Sequence, residues 1–240
     1  MGFYDRDYVR TGTASDAEAA SFASQVYGWM TIGLGITAVV TWGLARSGLW
    51  MQLMPFWWLC ALGTLGIGLA INGMIHRLSF QGVAGLFVAY SAVQGMFFGI
   101  TLPLYAAAYG GQVIWVAFLS AAGISGAAAA YGMFTGADLT HLGRLLRFGL
   151  YALVGMTLLY LVMSFFVQVT WMHMFISWLG LGMFIGLTAY DAQQIRSMSY
   201  QVDMRNSMAG KLSLVMALRM YINVIMVFWY LLQIFARGRD

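Results

Sequence analysis

The polar side chains that interrupt the long apolar runs of this chain are the ones able to do chemistry, and Asp191 leads them. It stands in Phe184-Ile185-Gly186-Leu187-Thr188-Ala189-Tyr190-Asp191-Ala192-Gln193-Gln194-Ile195. An acid at the centre of a membrane helix is unfavourable by roughly 2.5–3.5 kcal/mol on insertion scales, so it faces protein or water and takes a partner. Thr188, Asp191 and Gln194 follow i, i+3 spacing and form one polar stripe. In the last apolar run Arg219 and Asn223 stand one helical turn apart on a shared face. Asn72 and His76 share a face just before Arg77, and Tyr90 and Gln94 share one in the third run. Arg219 lies well inside its run, about 12 Å along a helix from Lys211 at 1.5 Å per residue. Pairing with Asp191 satisfies both charges more cheaply than snorkelling. Two readings follow from these types and spacings. One is a structural ion pair that joins the sixth and seventh helices; the other is a gate or an ion pathway.

Composition sets the environment of these groups. The chain is 61% hydrophobic and 8% charged, with a mean hydropathy of +0.78, whereas soluble domains carry about 25% charged residues. Too few polar side chains exist to coat a soluble particle of 240 residues, so the chain reads as an integral membrane protein whose first partner is the lipid bilayer. The net charge of +4 reflects scarce charges gathered in loops, where basic residues set topology; nucleic acid is not an expected partner. The single cysteine, Cys60, lies inside an apolar run, which excludes a disulfide framework or a thiolate metal site.

Apolar stretches near the ~20-residue spanning length recur at Val26–Ala45, Leu53–Ile75, Phe80–Ala107, Gln112–Phe134, Phe148–Val167, Met172–Ala192 and Leu212–Phe235. The expected fold class is therefore an all-α integral membrane protein with seven transmembrane helices. Residues 1–20 form a polar, mobile segment without a signal-peptide pattern, and residues 21–240 form one seven-helix membrane domain. Pro55 opens the second run, and Pro103 is placed to bend the third. Gly95-x-x-x-Gly99 and Gly182-x-x-x-Gly186 are small-xxx-small pairs, read as close helix packing within one copy; the expected state is a monomer.

Charge placement orients the spans. With the amino terminus cytoplasmic, the inner segments carry Arg6, Arg10, Arg77, Arg144, Arg147, Arg196, Arg205 and Lys211, against Arg46, Arg237 and Arg239 outside. The bias favours an inward amino terminus in a plasma or inner membrane. A re-entrant segment would instead put both ends inside.

Enzyme motifs are missing from the sequence. It holds neither His-Glu-x-x-His nor Gly-x-Ser-x-Gly, and Tyr131-Gly132-Met133-Phe134-Thr135-Gly136-Ala137-Asp138 lacks the Gly-x-Gly-Asp spacing of intramembrane aspartyl proteases. His76, His141 and His173 fall in separate loops or helix ends and do not converge on one metal. The sole lysine, Lys211, stands at the edge of the last run, unlike the mid-span lysine of a retinal protein. No catalytic residue, no enzyme activity and no cofactor are expected.

Several segments together resemble the transmembrane Bax inhibitor motif family in its short bacterial form. Phe22-Ala23-Ser24-Gln25-Val26-Tyr27 resembles the family's opening, and Gly95 to Tyr105 its third helix. Asp138-Leu139-Thr140-His141-Leu142-Gly143-Arg144-Leu145-Leu146 resembles the linker before helix five. Ile185 to Ile195 resembles the family signature, and Ala217 to Phe228 the last-helix motif, with departures. The resemblance implies a seven-helix bundle with the carboxyl-terminal helix central. It also implies pH-sensitive calcium leak, a part in stress responses, and, for bacterial relatives, restraint of a membrane protease.

The family's proposed sensor is a pair of aspartates on helices six and seven that share a proton and contact an arginine at the end of helix two. The first aspartate carries over as Asp191 and the arginine as Arg77. The second does not: its place is held by Asn223, with Arg219 one turn earlier. Asp191, Asn223, Arg77 and Arg219 thus form the expected gate or ion path, with Thr188, Gln194, Asn72 and Gln94 as supporting polar groups. The metal is left unknown by the residues; the resemblance implies calcium as the transported ion, with Asp191 as its expected contact. Two nearby carboxylates cannot both ionise cheaply. Replacing one by an amide and adding a guanidinium keeps Asp191 ionised and weakens pH sensing. The alternative function is a non-conducting modulator of a membrane protease or stress-response complex. A transporter would show an inverted repeat or paired broken helices, and neither is seen.

The orientation has a direct check. A cysteine placed near Tyr109 or Thr170 should react with an impermeant thiol reagent in intact cells, and one near Ser207 should not. Labelling at Ser207 overturns the inward amino terminus.

Overall fold

A computed structural model describes residues 16–74, 77–164, 166–167, 170–202 and 207–238. Its long elements are seven α-helices: α1 Asp16–Ser47, α2 Trp57–Met74, α3 Phe80–Tyr109, α4 Gly111–Phe134, α5 Thr140–Ser164, α6 Thr170–Ser199 and α7 Ser207–Arg237. A four-residue helix, Trp50–Leu53, and a 3-10 turn, Met54–Phe56, lead into α2. No strand occurs among the described residues. Seven helical stretches are long and apolar enough to cross a membrane, as the hydropathy pattern requires. Helices satisfy their own backbone groups, which is the condition for entering lipid.

The helices outrun the apolar windows, and the excess is polar. α5 begins at Thr140 rather than Phe148, because Asp138 caps it: Thr140 N–H donates to Asp138 Oδ1 at 2.8 Å. α6 runs on to Ser199 and α7 begins at Ser207, again beyond the apolar limits. α1 starts at Asp16, so residues 16–20 of the polar segment are helical, and residues 1–15 lie outside the described residues. Pro55 sits in the first turn of the 3-10 segment, and α3 continues past Pro103 to Tyr109. Gly48 (φ 72°) ends α1 and Gly110 (φ 84°) separates α3 from α4; both adopt the left-handed backbone that glycine tolerates.

The chain divides into two compact units, Met1–Ala108 with Ile195–Tyr221, and Tyr109–Gln194 with Ile222–Asp240. In the first, α1 packs on α3 through glycines. A Cβ added at Gly95 would lie 2.8 Å from Val40 Cβ and 2.9 Å from the Thr37 carbonyl oxygen, and one at Gly99 would lie 2.8 Å from Leu44 Cβ. The approach lets Thr41 Oγ1 donate to the Gly95 carbonyl at 3.0 Å. The Gly95/Gly99 pair therefore packs within one copy, as expected. In the second unit the pair at Gly182 and Gly186 divides. Gly186 faces Leu146, whereas Gly182 opens onto empty space. The tightest approach there involves Gly132 on α4, where any Cβ would run into the Ala189 carbonyl of α6.

α7 is largely buried. In the first unit Leu214, Met216, Ala217, Leu218, Met220 and Tyr221 are each at most 1% exposed. The half-buried positions of that stretch, Lys211, Val215 and Arg219, stand four residues apart on one face. α5 is the opposite case, with Leu145, Phe148 and Tyr151 at 68%, 73% and 77% exposure.

Alanine at Gly132 should lower the melting temperature in detergent, because overpacking of this kind is unfavourable by about 1–3 kcal/mol. Alanine at Gly182 should leave it unchanged or raise it. Equal shifts for the two variants would contradict the α4–α6 contact.

Candidate functional site

Asp191 lies on α6 and is 2% exposed; Asn223 lies on α7 and is 4% exposed. Both belong to the second unit, and Asn223 Nδ2 donates to Asp191 Oδ2 at 2.7 Å. The chemistry fixes the direction of this bond. An ionised carboxylate only accepts, so the amide must present its nitrogen and turn its oxygen Oδ1 away. A donor held against a carboxylate forms a charge-assisted bond, roughly twice as strong as a neutral one.

Thr188, one turn before Asp191 on α6, is fully buried. Its Oγ1 donates to the Phe184 carbonyl at 2.7 Å. The single hydroxyl proton is thereby used within the helix, and the oxygen presents only lone pairs to its surroundings. The core of the site thus holds a carboxylate whose amide partner has committed its nitrogen, with a hydroxyl one turn away. Among the described residues, no cluster of three or more His, Cys, Asp or Glu could hold a metal.

The other expected residues are placed as follows. Gln194 is half-buried on α6 in the second unit. Arg219 and Gln94 are half-buried in the first unit, on α7 and α3. Arg219 Nη1 approaches Met216 Sδ at 3.7 Å on its own helix. Arg77 is exposed in the turn between α2 and α3. Asn72 lies on α2, its side chain outside those described, and His76 lies outside the described residues altogether. Of the eight, the structure brings together Asp191 and Asn223, with Thr188 one turn away on the stripe that its spacing gave.

Two residues that tie helices together escaped the sequence reading. Gln193, beside the chosen Gln194, grips the α4–α5 linker with both ends of its amide. Its Oε1 accepts from Leu139 N–H at 2.9 Å, and its Nε2 donates to the Ala137 carbonyl at 2.7 Å. The linker holds Asp138, whose carboxyl is kept below the ordinary range by hydrogen bonds from Thr140 and then by the charges of His141 and Arg144. The second is Tyr221, which serves the first unit. Its hydroxyl lies 2.6 Å from Thr37 Oγ1, and Thr37 reaches the carbonyls of Ser91 and Gly33 at 3.0 Å each. The network ties α1, α3 and α7 together two residues before Asn223. Neither residue carries charge, so a scan for costly intramembrane ions passes over them. The usable signal was a side chain rich in donors and acceptors next to the signature acid.

Comparison with known proteins agrees with the motif resemblance. The sequence model described as Inhibitor of apoptosis-promoting Bax1 matches residues 19–240. An uncharacterised protein of Chlamydia muridarum is 48% identical over 98% of each chain. The inner membrane protein YbhL of Escherichia coli K12 is 35% identical over 91% of this chain and 92% of its own. An uncharacterised protein of Deinococcus radiodurans is 32% identical over 93% of each. With the signature acid buried between α6 and α7 and the match running from α1 to the last residue, this chain is a seven-helix membrane protein of the Bax1-inhibitor family.

Proposed function

We propose that this protein is a weak, nearly pH-independent leak pathway for calcium or a similar hard cation, with Asp191 and Asn223 at its gate. The observation that carries the reading is the 2.7 Å bond from Asn223 Nδ2 to a carboxylate buried to 98%. In a pair of aspartates, one shared proton fills the gap, and its loss at rising pH drives the two acids apart. An asparagine supplies the same donor permanently, because its N–H does not titrate in this range. The chain then remains in the geometry that a paired acid adopts only when protonated. Thr188 and Gln194, on the same stretch of α6 as the acid, supply its polar lining.

The location follows from the same family reading. A seven-helix relative is named as an inner membrane protein, and the basic residues favour an inward amino terminus. We place the protein in the bacterial inner membrane with that orientation, acting as a monomer.

Reconstitution into liposomes that enclose a calcium dye tests the proposal. The wild-type leak should be small and change by less than about twofold from about pH 6 to about pH 8, since the amide that stands in for a second acid has no carboxyl proton to share or lose. The variant Asn223→Asp with Arg219→Ser should leak several-fold faster and acquire a pH dependence. A steep wild-type leak with a midpoint near neutral pH contradicts the locked pair and moves attention to the imidazole side chains, His76 and His141. No flux from any variant would favour a non-conducting modulator of a membrane protease or stress-response complex.

A further inference from the structure

The first turns of α5 carry a cluster that the Asp191 site does not use. His141, Arg144 and Arg147 recur every third residue and are all exposed. Arg144 Nη2 lies 3.0 Å from His141 Nδ1. A guanidinium only donates, so Nδ1 accepts, and the ring proton sits on Nε2, facing outward as another donor. Arg147 is held from the other side. It donates to the Tyr190 hydroxyl of α6, and its guanidinium carbon lies 5.1 Å from the Tyr190 ring centroid. That contact fixes the group by cation–π attraction and leaves most of its N–H groups unused. Asp138 faces the same cluster, but its Oδ1 is engaged in capping Thr140. Two arginines against one carboxylate leave the cluster net positive, and the groups it turns outward are donors.

Directly below the charges the same helix face becomes apolar. Arg144, Phe148 and Tyr151 stand at i, i+4 and i+7, and the two aromatic residues are 73% and 77% exposed, with Leu145 beside them at 68%. α5 has 25 residues, so it is about 37 Å long at 1.5 Å per residue. The hydrocarbon core is about 30 Å thick, so the excess places an end turn in the headgroup layer. Helical side chains lean toward the amino terminus, which carries both guanidinium groups that way.

We propose that the start of α5 seats an anionic phospholipid, its phosphodiester on Arg144, Arg147 and His141 Nε2 and its acyl chain along Leu145, Phe148 and Tyr151. The continuous apolar strip selects a lipid over a free anion, because inorganic phosphate would use only the upper half of the surface. The inference stands apart from any leak activity: the Asp191 pair can conduct or not without changing it.

Native mass spectrometry of the full chain, released from nanodiscs of equal phosphatidylglycerol and phosphatidylcholine, tests it. The wild type should carry phosphatidylglycerol well above its share of the bilayer. Arg144→Gln with Arg147→Gln should reduce that enrichment about fivefold per arginine, the usual weight of one basic group at an anionic surface. Arg144→Lys should retain most of it, because the charge remains. Should the double variant fail to fold, Arg144→Gln alone carries the comparison, since its guanidinium rests on an exposed histidine. The proposal is overturned by a wild-type lipid ratio equal to that of the bilayer, or by an enrichment unchanged in the glutamine variants. Phosphate adducts in place of lipid, or release as a lipid-free dimer, would overturn it as well.

Discussion

A carboxylate shut away from water must be given a donor, and much of the second unit serves that need at Asp191. The donor is the Asn223 amide at 2.7 Å, and holding it there requires α6 and α7 to keep one rotation and one register. Gln193 and Tyr190 pin the same stretch of α6 from its flanks, through the α4–α5 linker and through Arg147. Gly132 sets how near α4 can come, directly against the Ala189 carbonyl two residues before the acid. Lipid offers no hydrophobic drive between apolar helices. Close backbone approach at small residues and polar bonds across helices take its place, and both cluster on the turns around Asp191.

The first unit uses the same two devices without a charge. Glycines at positions 33, 95 and 99 let α1 and α3 meet at near-contact distances. Thr37 and Thr41 then spend their hydroxyls on carbonyls of the neighbouring helix. Tyr221 joins the network from α7, with its ring edge against Phe87 and Tyr90 at centroid distances of 6.1 and 5.8 Å. The helix that supplies Asn223 is thus fixed just before that residue by neutral groups.

Much of this was legible in the sequence, for identifiable reasons. Seven apolar runs gave seven long helices, because only helices close their own backbone bonds in lipid. The ends were less legible. Hydropathy marks where lipid lies rather than where a helix stops, so the polar first turns of α5, capped by Asp138, and the polar tail of α6 fell outside the windows. The stripe of Thr188 and Asp191 followed from helical spacing alone. The bond to Asn223 depends on how α6 and α7 are rotated about their axes, which spacing within either helix cannot fix. Charge counting also passes over the amide nitrogen of Asn223, because a neutral donor carries no insertion cost that marks it. Gln193 and Tyr221 stayed hidden because their work is hydrogen bonding between elements far apart in sequence.

The account stands on coupling between Asp191 and Asn223. A double-mutant cycle on thermal or denaturant stability in detergent, using Asp191→Leu, Asn223→Leu and the double variant, measures it most directly. A hydrogen bond to a charged group contributes about 1.5–3 kcal/mol, and a coupling of that size is the expected result, with the double variant more stable than the additive sum of the singles. Strictly additive losses would show that the two side chains do not recognise each other and would contradict the locked pair.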